Sequence, residues 1–515
     1  MNGAEALIRT LVAGGVDTCF TNPGTSEMHI VAALDRVTEM RCVLGLFEGV
    51  VTGAADGYAR IAGRPACTLL HLGPGYANGI ANLHNAKRAQ VPLINLVGEH
   101  PEYHLKYDAP LTSDIEAIAR PYSHWLRTSR SAAEVGCDAA DAILAAARQP
   151  GYISTLVVPA DVAWSDGGVV APRPSIAKAP LPPSATIERA ATMLRSGLST
   201  ALMIAGDGLY GDGLRAAGRI AAATKAKLLS PYPFARMERG EGRVNVQRLP
   251  YVPDHAIELL KEFRQLILVG TGAPASYFAY PGKGALLAQP ECTTFAMASP
   301  SENCAASLVA LAQALGLNDR SEILIQSAER PNAPSGEISL TGLAATVAAL
   351  LPENAIVADE AMTSGRGMMA ASRVAAPHDW LANTGGSIGI ALPLAIGAAV
   401  AARDRRVICL TADGSSMYTL QALWTMAREG LNVTSVVFAN RAYAVLQWEY
   451  SGLGVGSPGP RAADLFSIGQ PDIDWVAMGK SMGVPSNRAA SLDTFGDLLR
   501  KSFATEGPAL IEISL

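Results

Sequence analysis

One pattern limits this chain more than any other: a short apolar, β-branched run followed by a helix-length stretch, repeated from end to end. In the first third the runs are Cys42 to Leu46, Ala66 to Leu70, Leu93 to Val97 and Ser154 to Val158, with helical patterns at Val50 to Ala62 and Ala132 to Arg148. The middle carries Ala201 to Ala205, Lys227 to Ser230 and Leu266 to Val269, and the last third Ala355 to Ala358, Arg406 to Leu410, Thr434 to Ala439 and Ala509 to Ile513. Runs this apolar suit strands covered on both faces, and alternation with helices dictates βαβ units and parallel sheets. Two Pro-rich stretches, Ala171 to Pro183 and Arg330 to Ser335, divide the chain into segments 1–170, 185–328 and 336–515. A chain of 515 residues exceeds one core, and at about 100–200 residues per domain three are expected. The fold class is therefore α/β, in three domains, each a mainly parallel sheet covered by helices.

The same sequence excludes several functions. Charged residues are 17% of the chain and the net charge of −5 comes from interspersed signs, with no basic stripe to hold nucleic acid. Seven cysteines lie scattered without CxxC spacing, as reduced, buried thiols of a cytoplasmic protein would. The start, Met1-Asn2-Gly3-Ala4-Glu5, does not read as a signal peptide. Ile388 to Ala402 is the longest suspicious apolar run; it contains Pro393 and is shorter than a bilayer span, so a core helix is expected and no membrane. Gly206-Asp207-Gly208 follows a strand and would suit a nucleotide loop, although short Gly-rich turns are common there.

Chemistry concentrates in Val407 to Ser415 and in Asn440. Asp413 ends one predicted strand and Asn440 the next, with a helix pattern between them. A right-handed crossover makes such strands parallel, so both residues leave the same carboxyl edge, where α/β sheets bind ligands. Asp413, Asn440 and the backbone carbonyl of Ala442 offer three hard oxygens, a set Mg²⁺ accepts when diphosphate and water complete its octahedron. Gly414 would let the chain pass close to phosphates, and Ser415 opens a helix whose amide groups face an anion.

The segment from Asp413-Gly414-Ser415 to Asn440 resembles the thiamine diphosphate motif of the 2-oxo acid decarboxylase and carboligase family. The likeness extends through Ala422-Leu423-Trp424 and Tyr443-Ala444-Val445-Leu446, and is strongest to the benzoylformate decarboxylase branch. Ala412 and Ala439 stand where the motif usually has Gly and Asn, and neither position supplies a metal ligand. The resemblance implies thiamine diphosphate and Mg²⁺ as cofactors, with Asp413, Asn440 and Ala442 on the metal and Gly414, Ser415, Tyr443 and Thr363 around the cofactor. It makes Glu48, in Leu46-Phe47-Glu48-Gly49, the carboxyl group that shares a proton with the cofactor's pyrimidine. A structural role for Glu48 at its helix N-terminus is the alternative. In Gly385-Gly386-Ser387-Ile388-Gly389, Ile388 would wedge beneath the cofactor's rings and the Gly386 carbonyl would accept from its amino group. The family implies a homodimer or homotetramer, with each site completed by a neighbouring chain.

For substrate, a 2-oxo acid, the resemblance offers Thr25 in Asn22-Pro23-Gly24-Thr25 and His71 at a strand end. An imidazole there suits proton transfer to and from the substrate's carbonyl oxygen. A middle-domain histidine of benzoylformate decarboxylase falls on Phe278 or Ala279 here, and its absence implies readier formation of 2-hydroxy ketones. Leu72-Gly73-Pro74-Gly75 and Gln447-Trp448-Glu449 are similar instead to acetolactate synthase; the resemblances together place Leu446 and Glu449 in the substrate pocket. Asp108 to Thr112 reads like the decarboxylase. The expected activity is 2-oxo acid decarboxylation with carboligation beside it; an acetolactate-type synthase is the alternative. A dinucleotide-dependent oxidoreductase would explain Gly206 to Gly208 but not Glu48, Asp413 or Asn440.

Overall fold

The computed structural model describes residues 1–515. Three sheets form. The first joins β1 (Thr18–Asn22), β2 (Arg41–Leu44), β3 (Ala66–Leu70), β4 (Leu93–Glu99), β5 (Trp125–Thr128) and β6 (Ile153–Pro159) in the order β2-β1-β3-β4-β6-β5. The second has β7 (Thr200–Ile204), β8 (Lys227–Ser230), β10 (Gln247–Arg248), β11 (Gln265–Val269) and β12 (Thr293–Ala298), in the order β10-β8-β7-β11-β12. Between β8 and β10 the chain makes β9 (Arg236–Arg239), which leaves its own segment and pairs antiparallel with the edge of the third sheet. That sheet contains β13 (Ala355–Asp359), β14 (His378–Ala382), β15 (Val407–Ala412), β16 (Val433–Ala439), β17 (Ser486–Ala489) and β18 (Ala509–Ser514), ordered β17-β18-β16-β15-β13-β14-β9. Every other pairing in the three sheets is parallel. The three-domain, mainly parallel α/β class read from the sequence is the class observed.

Two expectations need correction. The apolar run from Ile388 is helical only over Ala391–Ala401, because Ile388 belongs to a turn containing Gly386 and Gly389, both at positive φ. The thiols are not all buried: Cys42 and Cys137 are exposed, since each faces away from its element's apolar side. No helix is long and apolar enough to cross a membrane.

The first and third segments meet along the helices Glu48–Ala62 and Ala391–Ala401, which approach backbone to backbone. A Cβ on Gly57 would lie 2.1 Å from the Leu394 carbonyl oxygen, and one on Gly397 1.9 Å from that of Ala54. Beside this contact Arg60, whose side chain is fully buried, makes two 2.7 Å bonds to Asp56. It also donates to the Ala235 and Ala382 carbonyls and to Thr384 Oγ1. One guanidinium thus ties all three segments together, and its five bonds offset the cost of burying the charge.

Candidate active site

The carboxyl ends of β1 and β3 build one half of the site. Asn22 pairs with Leu70, so the turn after β1 faces the residue that follows β3, His71. His71 caps the helix Leu72–Ala89, and its Nδ1 is 2.7 Å from Glu27 Oε2. That oxygen also accepts the Gly24 amide at 2.8 Å, whereas Glu27 Oε1 is buried without a partner. Burial pushes the Glu27 carboxyl above the usual carboxylate range, and the adjacent imidazole works against that rise. Thr25 is exposed at the start of the same turn.

Glu48 opens its helix with 8% of its surface exposed. No helix amide bonds its carboxylate; instead Oε2 accepts from the Asn78 side chain at 3.0 Å, and Oε1 is left for another group. Asn78 and Glu27 are absent from the reading of the sequence. Both earn their significance from partners far along the chain, 30 and 44 residues away.

Parallel neighbours β15 and β16 build the other half. Asp413 follows β15 and Asn440 follows β16, so both leave one carboxyl edge. Asp413 Oδ1 accepts from the Gly414 amide at 2.9 Å and Oδ2 from the Arg441 amide at 2.7 Å. Burial pushes this carboxyl up as well, while the amides favour its charged form. Asn440 donates to Ser364 Oγ at 3.2 Å and its Oδ1 accepts the Ala442 amide at 3.1 Å. No backbone amide takes the Ala442 carbonyl. Ser415 is buried, and the Tyr443 ring packs on Gly414, 2.6 Å from where a Cβ would stand.

The turn after β14 sits on the helix Leu72–Ala89. Asn85 donates to the Ser387 carbonyl at 2.8 Å and accepts the Ser387 amide at 3.2 Å, and His84 Nε2 lies 3.1 Å from the Gly385 carbonyl. Gly386, at φ +80°, donates to Asn383, and no backbone amide uses its carbonyl. Ile388 is half-buried. Beneath them Glu360, 2% exposed, accepts the amides of Gly389, Ile390 and Ala391 and the side chain of Asn383. Its carboxyl is pushed up to about 7 by burial. Glu360 also escaped the sequence reading; the Asp359-Glu360 pair at a strand end was the available signal.

Thr363 lines a cavity of about 510 Å³ with Tyr232, Arg248, Tyr251 and Trp448. Glu449 gives both oxygens to the tyrosines of the middle segment, Tyr251 at 2.7 Å and Tyr280 at 3.0 Å. Leu446 and Phe278 are 47% and 51% exposed. Near the second sheet, Asp207 accepts the Ala305 amide at 3.1 Å at the start of the helix Cys304–Ala314, and Glu238 accepts the Gly211 amide at 3.1 Å, so a carboxylate already meets the helix Gly211–Thr224 that follows Gly206 to Gly208. Within the chain, no hydrogen bond or ion pair joins Glu48 or His71 to Asp413 or Asn440.

Residues 1–119 match the N-terminal TPP binding domain of thiamine pyrophosphate enzymes, and residues 363–513 the C-terminal TPP binding domain. The chain belongs to the thiamine pyrophosphate enzyme family. Both matched regions carry a half of the site described above. Among relatives of this thiamine pyrophosphate enzyme is a Mycobacterium tuberculosis protein named "Putative acetolactate synthase large subunit IlvX". It is 49% identical over all of this chain and 99% of its own length. Benzoylformate decarboxylase of Pseudomonas aeruginosa is 28% identical over 97% of this chain and 96% of its own. In fold, the enzyme superimposes on a 4-hydroxybenzoylformate decarboxylase from Rhodococcus jostii RHA1 with TM-score 0.84, at 22% identity, covering 99% of this chain and 98% of that one.

Proposed function

We propose that this enzyme uses thiamine diphosphate and Mg²⁺ to decarboxylate a 2-oxo acid, and that two chains share each site. The observation that carries the reading is the pairing of His71 with buried Glu27 at the mouth of the half-site that holds Glu48. Once bound, the cofactor supplies the electron sink that lets a bond to the substrate's carbonyl carbon break.

The residues present fit that cofactor. Asp413, Asn440 and Ala442 bring hard oxygens to one sheet edge, as Mg²⁺ requires. The Gly386 carbonyl and Glu48 Oε1 have no partner in the chain, leaving one acceptor and one carboxyl oxygen for an aminopyrimidine. Glu48 holds a proton at Oε1 while Asn78 fixes the other oxygen. His71 is anchored at Nδ1, which presents Nε2 to a substrate carbonyl oxygen for proton transfer. Thr25 lies on the same turn as Glu27 and offers a hydroxyl to the substrate carboxylate.

The site halves stand unlinked within the chain, and exposed Leu46, Met417 and Tyr418 flank them. Both features support a homodimer as the smallest active unit, alone or within a homotetramer. Ligation of two 2-oxo acids is the second reading. The name of the relative at 49% identity favours it, as does the lack of a histidine in the stretch Gly272 to Pro281.

The test is a screen of 2-oxo acids for CO₂ release by protein loaded with thiamine diphosphate and Mg²⁺. Free aldehyde, with 2-hydroxy ketone beside it, is the expected product. Release of CO₂ with only 2-hydroxy-2-methyl-3-oxo acid as product would support the synthase instead.

A further inference from the structure

The stretch Gly272 to Pro281 reaches the cofactor turn through a residue the sequence comparison passed over. Phe278 points outward, but its neighbour Tyr277 turns inward, and its hydroxyl stands 2.1 Å from where a Cβ on Gly386 would be. Only glycine, at φ +80°, leaves room for that approach. The phenol makes no hydrogen bond within the chain although it is half-buried. Its ring is fixed by Tyr251, Tyr232 and Phe278 at centroid distances of 5.6, 6.1 and 5.2 Å, and Trp448 extends the aromatic wall 5.9 Å beyond Tyr251. An unpaired hydroxyl on a rigid ring beside Gly386 has no structural partner to satisfy. It is therefore free for a ligand, and the Tyr232 and Tyr251 rings line a cavity together with Tyr277.

We propose that Tyr277 Oη donates a hydrogen bond to an oxygen of the bound 2-oxo acid, and that the surrounding rings select acids with an aryl side chain. The inference rests on the function proposed above. A phenol differs from an imidazole here in one respect. Burial pushes the Tyr277 phenol above its ordinary value, with Arg88 pulling the other way, so it keeps its proton throughout the neutral range. It is a fixed donor and not a proton shuttle, the kind of group that stabilises developing charge without titrating.

The test uses holoenzyme and mandelate, a 2-hydroxy acid that presents the same carboxylate and an aryl group but cannot lose CO₂. Tyr277→Phe removes one oxygen. Calorimetry should show its affinity for mandelate falling about tenfold or more, the loss expected for a hydrogen bond to a charged group. Thiamine diphosphate affinity and melting temperature should stay at parent values. The deficit should be equal at pH 6 and pH 8, because the donor does not titrate between them; a deficit present at only one pH overturns the fixed-donor role. Parent holoenzyme should bind mandelate about tenfold more tightly than lactate; equal binding overturns the aryl preference. Unchanged mandelate affinity in Tyr277→Phe, with normal cofactor uptake, overturns the inference alone. Parent protein that takes up no thiamine diphosphate with Mg²⁺ overturns the proposed function, and this inference with it.

Discussion

His71 Nδ1 and Glu27 Oε2 lie 2.7 Å apart, and the carboxylate that holds the imidazole is completely buried while the imidazole is partly open. The contact fixes which ring nitrogen faces the pocket, because Nδ1 is committed to Glu27. Glu27→Gln keeps the shape but replaces the acceptor with an amide that can present either atom. Loss of orientation and charge at a positioned acid–base pair should lower kcat/KM by about 10²-fold. His71→Ala should cost as much or more, and the double variant little beyond His71→Ala. Steady-state CO₂ release checks this; full additivity of the two losses would show that Glu27 does not act through His71.

The proposed sharing of each site between two chains makes a different prediction. Glu48→Gln and Asp413→Ala should each be inactive, the first through the lost proton on Oε1 and the second through lost Mg²⁺-dependent cofactor retention. Mixed by unfolding and refolding, or by coexpression, they should regain about a quarter of parent activity, since half the dimers are mixed and each mixed dimer holds one intact site. No recovery would place both residues in a site built by a single chain.

The elements that the sequence revealed are those whose strands run apolar on both faces, such as Ala66–Leu70 and Lys227–Ser230, whose bounds agree with the structure to the residue. Arg236–Arg239 stayed hidden because an edge strand alternates polar and buried positions, and nothing local says that it crosses to another sheet. His378–Ala382 was missed although fully buried, because only short turns precede it, and Thr18–Asn22, which does follow the helix Gly3–Ala13, because three of its five residues are polar. Within the site, Asp413, Asn440, Glu48 and His71 were legible because each ends a strand or opens a helix. Glu27, Asn78 and Glu360 were not, since what distinguishes each is a partner reached only in three dimensions, and the approach of Tyr277 to Gly386 is likewise visible only in the fold.

Arg60 provides a stability test independent of any chemistry. Arg60→Met leaves Asp56 buried without its cation and three acceptors without a donor, so it should cost about 3–5 kcal/mol. A melting temperature within a degree of parent would show that the segments are held together by the apolar helix contact alone.

Glu360 links stability to pH. Its carboxyl is held at about 7 in the folded protein, above the roughly 4.3 of an unfolded chain. Between those values the folded state binds the extra proton, so stability falls as pH rises from about 4.3 to 7 and levels off above. Glu360→Gln removes the titrating group and with it this slope, although its amide must still face the amides of Gly389, Ile390 and Ala391 and so caps the helix less well. The variant should therefore melt below parent at pH 5, and the gap should narrow by pH 8. Calorimetric scans at four pH values between these limits check the sign. A gap that widens with pH would mean that the three amides outweigh burial and hold the carboxylate charged, which reverses the direction derived from its burial.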